Sequence, residues 1–219
     1  MIPGPDQIVA CPHCKGLAKY MTLMSGNTIG ARVWTDGKQV APMLPRPPAV
    51  VKCRHCVECY WLADAKEVGT VERWGGKGQQ VDPAWTAAQE VQEPFEDEYY
   101  QALEKGLGGD SQQERNLRVL AWWRRNDAFR DACQAQAGSI AATPAKCRKN
   151  LEALASLLDE ADENDCLMRA EVLRELGEFE SAKQVLSRVT SAEYTTVIRQ
   201  LRSLCDTGDT CVRELQFGG

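Results

Sequence analysis

Two four-residue motifs constrain this chain more than any other feature: Cys11-Pro12-His13-Cys14 and Cys53-Arg54-His55-Cys56, separated by 38 residues. A C-x-x-C pair turns two thiolates toward one ion at sulfur–metal distances of about 2.3 Å, and two such pairs supply the four corners of a tetrahedral Zn2+ site. That ligand set leaves no open coordination position, so it points to a scaffold rather than to chemistry. Cys11, Cys14, Cys53 and Cys56 are therefore the candidate metal ligands and Zn2+ the candidate cofactor.

The residues around the pairs read as strands. Thr28 to Trp34 is rich in β-branched and aromatic residues, Asp36-Gly37 supplies a hairpin turn, and Pro45, Pro47 and Pro48 extend the connector that follows. Ala49-Val50-Val51-Lys52 enters the second pair and Tyr60-Trp61-Leu62 leaves it as short strands. Cysteine pair, hairpin, strand, cysteine pair is the order of a zinc ribbon, which predicts a small β module over residues 1–68. A region of this size buries little apolar surface, so metal ligation supplies much of its folding free energy, on the order of 10–16 kcal/mol for zinc-finger peptides.

Other readings of the same cysteines are open. Cys11-Pro12-His13-Cys14 resembles the active-site tetrad of thiol oxidoreductases of the DsbA type, in which a helix N-terminus lowers a thiol pKa. In that fold a long helix follows the tetrad, whereas Lys15-Gly16-Leu17-Ala18 leads here toward Met24-Ser25-Gly26-Asn27. Cys59 extends the second pair to C-x-x-C-x-x-C, the spacing of a spare thiol, a substitute zinc ligand or an iron–sulfur ligand. His13 and His55 occupy matching interior positions and are read as pointing outward.

Gly75-Gly76-Lys77-Gly78 and the flanking Pro83 and Pro94 mark residues 69–94 as a linker, with Trp74 and Trp85 as candidates to pack back onto a domain. Residues 95–210 carry helical periodicity: a helix from Phe95 to Leu103, one from Gln113 to about Ala135 capped by Asp110 or Ser111, one from about Lys146 through Leu158, and a last one from Thr195 to Leu204. Trp122 and Trp123 are adjacent on the second helix and are read either as core or as a partner surface, with Arg124 or Arg125 placed for a cation–π contact. Residues 211–219 read as a tail. The expected fold class is α+β, a β zinc ribbon followed by an all-α domain.

Asp165 to Leu186 resembles a tetratricopeptide repeat: Ala170, Leu173, Leu176-Gly177, Phe179 and Ala182 follow that motif's order of small, apolar, turn and aromatic positions. No second copy of equal quality follows at a period of about 34 residues. In layout the chain resembles bacterial proteins of unknown function that join an N-terminal cysteine-pair zinc domain to TPR-like helices.

An apolar fraction of 43% with 26% charged residues places the chain among globular proteins, and the first residues lack the basic run and apolar core of a signal peptide. The expectation is a cytosolic protein, with Cys133, Cys147, Cys166, Cys205 and Cys211 as packing or surface thiols. No P-loop, H-E-x-x-H, G-x-S-x-G or G-x-G-x-x-G motif is present, so no catalytic residue is assigned. The carboxylates Glu160, Asp162, Glu163 and Asp165 read as caps and solvated turns.

The leading expectation is a zinc-stabilised adaptor that presents surfaces to another protein. The alternative is nucleic-acid binding. Residues 1–80 hold ten Lys/Arg against six Asp/Glu, and Lys15, Lys19, Arg32, Lys38, Lys52 and Arg54 would meet phosphate while Trp34 or Tyr60 stacks on a base. A third reading is thiol–disulfide exchange at Cys11. No membrane partner is expected.

Overall fold

The structure, a computed structural model, describes residues 1–73, 82–130 and 143–217. Its strands are β1 (Ile2–Ala10), β2 (Leu17–Ser25), β3 (Arg32–Val33), β4 (Gln39–Val40), β5 (Val50–Lys52), β6 (Cys59–Trp61), β7 (Lys66–Val71) and β8 (Gln89–Glu90). Its helices are α1 (Pro83–Ala87), α2 (Glu96–Glu104), α3 (Ser111–Arg130), α4 (Ala145–Leu157), α5 (Glu163–Glu175), α6 (Phe179–Leu186) and α7 (Thr195–Asp206). The expected combination of an N-terminal sheet region and a helical remainder is present.

The chain divides into two compact units, but not where composition changes. One unit comprises residues Met1–Ala31 and Val40–Leu107, the other Arg32–Gln39 and Gly108–Gly219. Three sequence boundaries move. Residues 69–94 are not a bare linker, since they carry the end of β7, α1 and β8. Helix α2 belongs with the sheet rather than with the helices. The Asp36-Gly37 hairpin, expected within the zinc module, belongs with the helices.

In the first unit β1 and β2 form an antiparallel hairpin closed at Ala10↔Leu17; β7 pairs with the far edge of β1, and β8 runs parallel to β2 at Ala18 and Lys19. Ile8, Val9 and Ala10 are buried, which anchors the knuckle end of the hairpin. Toward the other end β7 reaches only to Asp6, and the uncovered part of β1 carries Pro3 and Pro5, residues with no N–H to leave unpaired at an edge. Trp85, from the segment read as a linker, lies flat on Gly69; a Cβ there would stand 2.3 Å from its ring. Asp82 caps α1 by accepting the Ala84 N–H at 2.8 Å, with Pro83 at the first helical position. Trp74 lies outside the described residues.

Helix α2 starts with the Glu98 carboxylate accepting the Phe95 N–H at 2.8 Å and ends before Gly106, whose φ of +83° suits a residue without a Cβ. It is tied to the β5–β6 hairpin by Lys52–Glu98 and by Lys105–Glu58 (2.7 Å), and the Trp61 indole donates to the Leu107 carbonyl at 3.2 Å.

In the second unit successive helices pack as neighbours. Val119, Trp122, Leu151, Leu154, Leu158 and Val172 fill one core, and Ala170, Val185, Leu186, Val189 and Leu201 a second. Asp110 caps α3 by accepting the Gln113 N–H, and Asp162 caps α5 by accepting the Asp165 N–H, so acidic residues at these helix starts serve as the sequence suggested. Helix α3 is described to Arg130; the rest of the expected span, with Cys133, lies outside the described residues.

Residues 32–39 form a tight hairpin: the Trp34 N–H donates to the Lys38 carbonyl (3.0 Å), the Gly37 N–H to the Trp34 carbonyl (2.8 Å), and Gly37 has φ +79°. The Asp36 carboxylate, fully buried, accepts from both Arg130 guanidinium nitrogens (3.1 and 2.7 Å) and from the Asn126 amide (3.0 Å). The Trp123 indole donates to the Asp36 carbonyl at 2.9 Å. Arg32 and Arg130 both lie over the Trp34 ring, at 4.7 and 5.2 Å. The C-terminal segment completes the arrangement: the Leu215 N–H donates to the Val33 carbonyl and the Thr35 N–H to the Arg213 carbonyl, both at 2.8 Å, with Cys211, Val212 and Leu215 buried. Residues 211–217 are therefore a docked segment, joined to the hairpin by an isolated bridge at Trp34 and Glu214, rather than a tail. Trp122 is fully buried and donates to Glu175 at 2.8 Å, so both tryptophans of α3 are engaged within the unit.

Candidate metal centre

Each cysteine pair sits at the tip of a β-hairpin, the first between β1 and β2, the second between β5 and β6. The two tips are alike when residue n is laid on residue n+42. The Lys15 N–H donates to the Cys11 carbonyl and the Val57 N–H to the Cys53 carbonyl, both at 3.0 Å. The Cys11 N–H closes on the Gly16 carbonyl (3.0 Å) and the Cys53 N–H on the Glu58 carbonyl (2.9 Å). The fifth residue of each turn takes a left-handed conformation, Lys15 at φ +64° and Val57 at φ +58°. Both are residues that rarely adopt it, and Val57 is β-branched besides. The strain is accepted because the reversal aims both sulfurs of a pair to one side.

The four sulfurs converge. Cys11, Cys14, Cys53 and Cys56 place their Sγ atoms within 4.8 Å of one another, with Cys14–Cys53 at 3.6 Å and Cys11–Cys56 at 3.8 Å. A tetrahedron of sulfurs about 2.3 Å from its centre has edges of roughly 3.8 Å, so the spacing and the donor chemistry fit a tetrahedral, thiolate-binding divalent ion. The knuckle amides are arranged for anionic sulfur: the Gly16 N–H donates to Cys14 and the His55 N–H to Cys53, each at 3.4 Å. The Gly16 amide draws the exposed Cys14 thiol down to about 7. Burial pushes the Cys11 thiol up. At Cys56 the Glu58 amide pulls downward, but burial and the neighbouring sulfurs prevail and push the thiol up to about 12. Sulfurs this close cannot all ionise against one another's charge without a cation among them, and binding a divalent ion therefore releases protons.

Val51 and Tyr60 pack against Cys11 and Cys53 in a small core, joined at its margin by Leu62, Ala65 and Val91. Tyr60 is only 2% exposed, and burial pushes its hydroxyl up to about 12. This backing was partly readable as the strand Tyr60-Trp61-Leu62, but Val91, from the segment read as a linker, was not.

Neither histidine joins the cluster. His13 stands edge-on to Tyr60 with ring centroids 6.4 Å apart, and the His55 ring lies against Gly16, where a Cβ would come within 2.3 Å of it. Each knuckle thus sets its histidine against the opposite hairpin. Cys59 faces Lys52 across β5–β6 and lies outside the sulfur cluster, its thiol pushed up to about 11 by burial.

Cys11 also lacks the setting of a redox nucleophile. It is fully buried, its thiol is raised, and the chain after Cys14 continues as a strand, so no helix N-terminus stabilises a thiolate. Of the eight residues assigned to nucleic acid, Lys15 and Arg54 make only exposed contacts to the Pro12 and Glu90 carbonyls, whereas five are engaged elsewhere. Trp34 and Tyr60 are each 2% exposed and cannot stack on a base. Arg32 pairs with Glu214 (2.8 Å), Lys38 with Asp127 (2.7 Å) and Lys52 with Glu98. The positive N-terminal balance was an effect of where the chain was cut: the first unit holds nine Lys/Arg against twelve Asp/Glu, the second 17 against 19.

No helix among the described residues is long and apolar enough to cross a membrane. Comparison with known proteins finds no family model that matches, no similar curated protein and no similar solved structure.

Proposed function

We propose that Cys11, Cys14, Cys53 and Cys56 hold a structural Zn2+ and that the chain is a cytosolic, zinc-stabilised interaction protein whose helices engage another protein. The observation that carries the reading is the closed set of four sulfurs at tetrahedral spacing, with amides directed at them and no fifth His, Cys, Asp or Glu in the cluster among the described residues. Zinc suits it because soft thiolates and a tetrahedral cage favour that ion over Mg2+ or Ca2+. When bound, the ion supplies cross-linking of two hairpins that share little other core.

The helical half supports recognition. Helices α5 and α6 form a hairpin turned at Gly177 (φ +83°), with Ala170 and Ala182 buried between them. Small residues that let two helices approach support the TPR-like reading of this pair, and α4–α5 and α6–α7 contacts continue the succession of neighbouring helices.

Elemental mass spectrometry of the purified protein tests the metal. One zinc per chain is expected, lost in a Cys11→Ser/Cys53→Ser variant together with the amide protection of β1, β2, β5 and β6 in hydrogen exchange. A folded wild type without metal, or with iron, would overturn the assignment. Affinity capture from source-cell lysate, compared with a variant altered on the α5–α6 surface, tests the adaptor role; absence of any stoichiometric partner speaks against it.

A further inference from the structure

The exposed large apolar side chains of this protein are not scattered evenly. Ile2 is 57% exposed, Met24 75%, Ile29 76% and Met43 36%; Ile2 and Met24 lie at the end of the β1–β2 hairpin remote from the sulfurs, and Ile29 and Met43 in the segments that follow β2 and β4. The backbone brings them together. Ile2 pairs with Ser25, next to Met24; the Asn27 N–H donates to the Met43 carbonyl at 3.2 Å; and the Asn27 side chain accepts the Ile29 N–H at 2.9 Å. Gly26 sits so tightly under this segment that a Cβ would lie 2.6 Å from the Met43 carbonyl oxygen and 2.7 Å from Leu44.

The patch is also free of charged side chains. Residues 20–31 contain no Asp, Glu, Lys, Arg or His, nor do residues 1–5 or 39–45, in a chain where 26% of residues are charged. With full areas of roughly 150–200 Å² for side chains of this size, the four residues expose on the order of 500 Å², near the top of the range for the largest patch on a monomer.

We infer that this patch is the interface of a symmetric dimer, with the same surface of a second copy as its occupant. Three observations select a second copy. An anionic membrane or an acidic or basic protein would be matched by charge, and the patch has none. Of the other exposed large apolar residues among those described, Met1 and Val40 adjoin the patch in sequence, and Val57, Val68, Phe95 and Phe217 lie apart from it and from one another in sequence, so they do not group into a second patch for a head-to-tail contact. An isologous contact meets its own kind: apolar faces apolar across the two-fold with no like charges opposed. The area suffices, since two copies bury about 1,000 Å² from these side chains alone, which reaches the lower bound for a specific interface. Flexible Met24 and Met43 side chains can repack to fit the two-fold. Strand addition is not the mode on the β1 side, because Pro3 and Pro5 remove the donors such pairing needs.

Sedimentation velocity of the full, metal-loaded chain tests this over 1–100 µM at 0.1 and 0.5 M NaCl, with Met24→Lys/Ile29→Lys as the variant. The wild type is expected to sediment with twice the mass of one chain at the upper concentrations in both salts. The variant, lysine-bearing at two solvent-facing positions, is expected to stay monomeric with unchanged helical circular dichroism and metal content. Hydrogen exchange gives the independent reading: amides of residues 24–29 gain protection with concentration in the wild type only. A monomeric wild type at 100 µM, a dimer dissolved by 0.5 M NaCl, or a dimer that survives both lysines would each overturn the inference. A foreign protein or lipid as the true occupant falls under the first of these outcomes.

Discussion

Replacing Asp36 with alanine should undock the hairpin of residues 32–39 from the helices while leaving the metal centre intact. Asp36 is fully buried, and its two oxygens accept two hydrogen bonds from Arg130, one from Asn126 and one from the Lys38 N–H at 3.1 Å. Arg130 is itself buried, with its side chain 6% exposed, so the substitution strands a guanidinium away from water. Breaking a buried pair from one side typically costs 3–5 kcal/mol. Here Asp127 still accepts from the Arg130 Nε at 2.8 Å, which retains part of the compensation. The expected cost is therefore about 3 kcal/mol, a large fraction of the stability of an ordinary domain.

Urea unfolding followed by tryptophan fluorescence measures it, because Arg32 and Arg130 both lie over the Trp34 ring and the Trp123 indole donates to the Asp36 carbonyl, so undocking changes the surroundings of two of the six tryptophans. A cycle with Arg130→Met separates the pair from its desolvation. The double variant removes both charges, so its cost should fall below the sum of the single costs by at least 1.5 kcal/mol. A cost under 1 kcal/mol for Asp36→Ala, or strict additivity in the cycle, would refute the reasoning, and metal loss in Asp36→Ala would refute the separation of the two sites.

Glu175 sets a pH dependence. Burial, followed by the charge of Glu171, pushes its carboxyl up to about 8 against the pull of Arg174. From the ordinary range near 4.5 up to about 8 the unfolded chain ionises first, so stability is full at low pH and falls as pH rises, by on the order of 5 kcal/mol. Glu175→Gln keeps the acceptor for Trp122 and should flatten the urea midpoint between pH 5 and pH 8; an unchanged slope counts against it. Val57→Gly relieves a β-branched residue at φ +58° and should stabilise the metal-loaded first unit by about 1 kcal/mol, read from exchange of its slowest amides; destabilisation would mean the valine side chain contributes contacts that outweigh the strain. Gly177→Ala places a Cβ at φ +83° between α5 and α6 and should cost about 1 kcal/mol in thermal unfolding, with no change meaning that the turn relaxes.

The sulfur site was legible because its information is local. Cys11-x-x-Cys14 and Cys53-x-x-Cys56 carry their own geometry, and no distant residue is needed to see that four thiols suit one ion. The helices from Ala145 to Asp206 were legible for a similar reason, since period and caps such as Asp162 lie within the element. What stayed hidden depends on pairings distant in sequence. Trp34 reads as a strand residue because β-branched and aromatic neighbours surround it, and only Arg130, nearly a hundred positions later, and the Cys211–Leu215 segment reveal its burial. Gly69 reads as a linker glycine until Trp85 is seen lying on it. A composition shift near residue 80 suggested a domain boundary and a basic module, yet Asp82, Glu90 and Glu93 of the segment read as a linker and the acidic α2 belong to that same unit and together reverse its charge.

The lent hairpin changes what counts as a domain in this chain. Residues 32–39 lie in sequence between the two cysteine pairs, yet their side chains complete the helical unit. Cutting the protein where composition shifts would produce a helical fragment lacking Asp36, so Arg130 would lose its buried counter-charge and Asn126 one of its two acceptors. The same cut removes the backbone partners of Thr35 and Val33 on which Arg213 and Leu215 close, exposing Val212 and Leu215. A zinc module cut after Leu107, where the first unit ends, fares differently: it keeps all four sulfurs, the Tyr60 core, β8 and α2, and loses from its long inter-knuckle loop only the anchor of the hairpin. Loop-closure entropy grows slowly with length, so freeing that loop raises the cost of bringing the knuckles together by well under the free energy of metal binding, about 10 kcal/mol or more. The dependence therefore runs one way, with the helices needing the loop and the sulfurs not needing the helices.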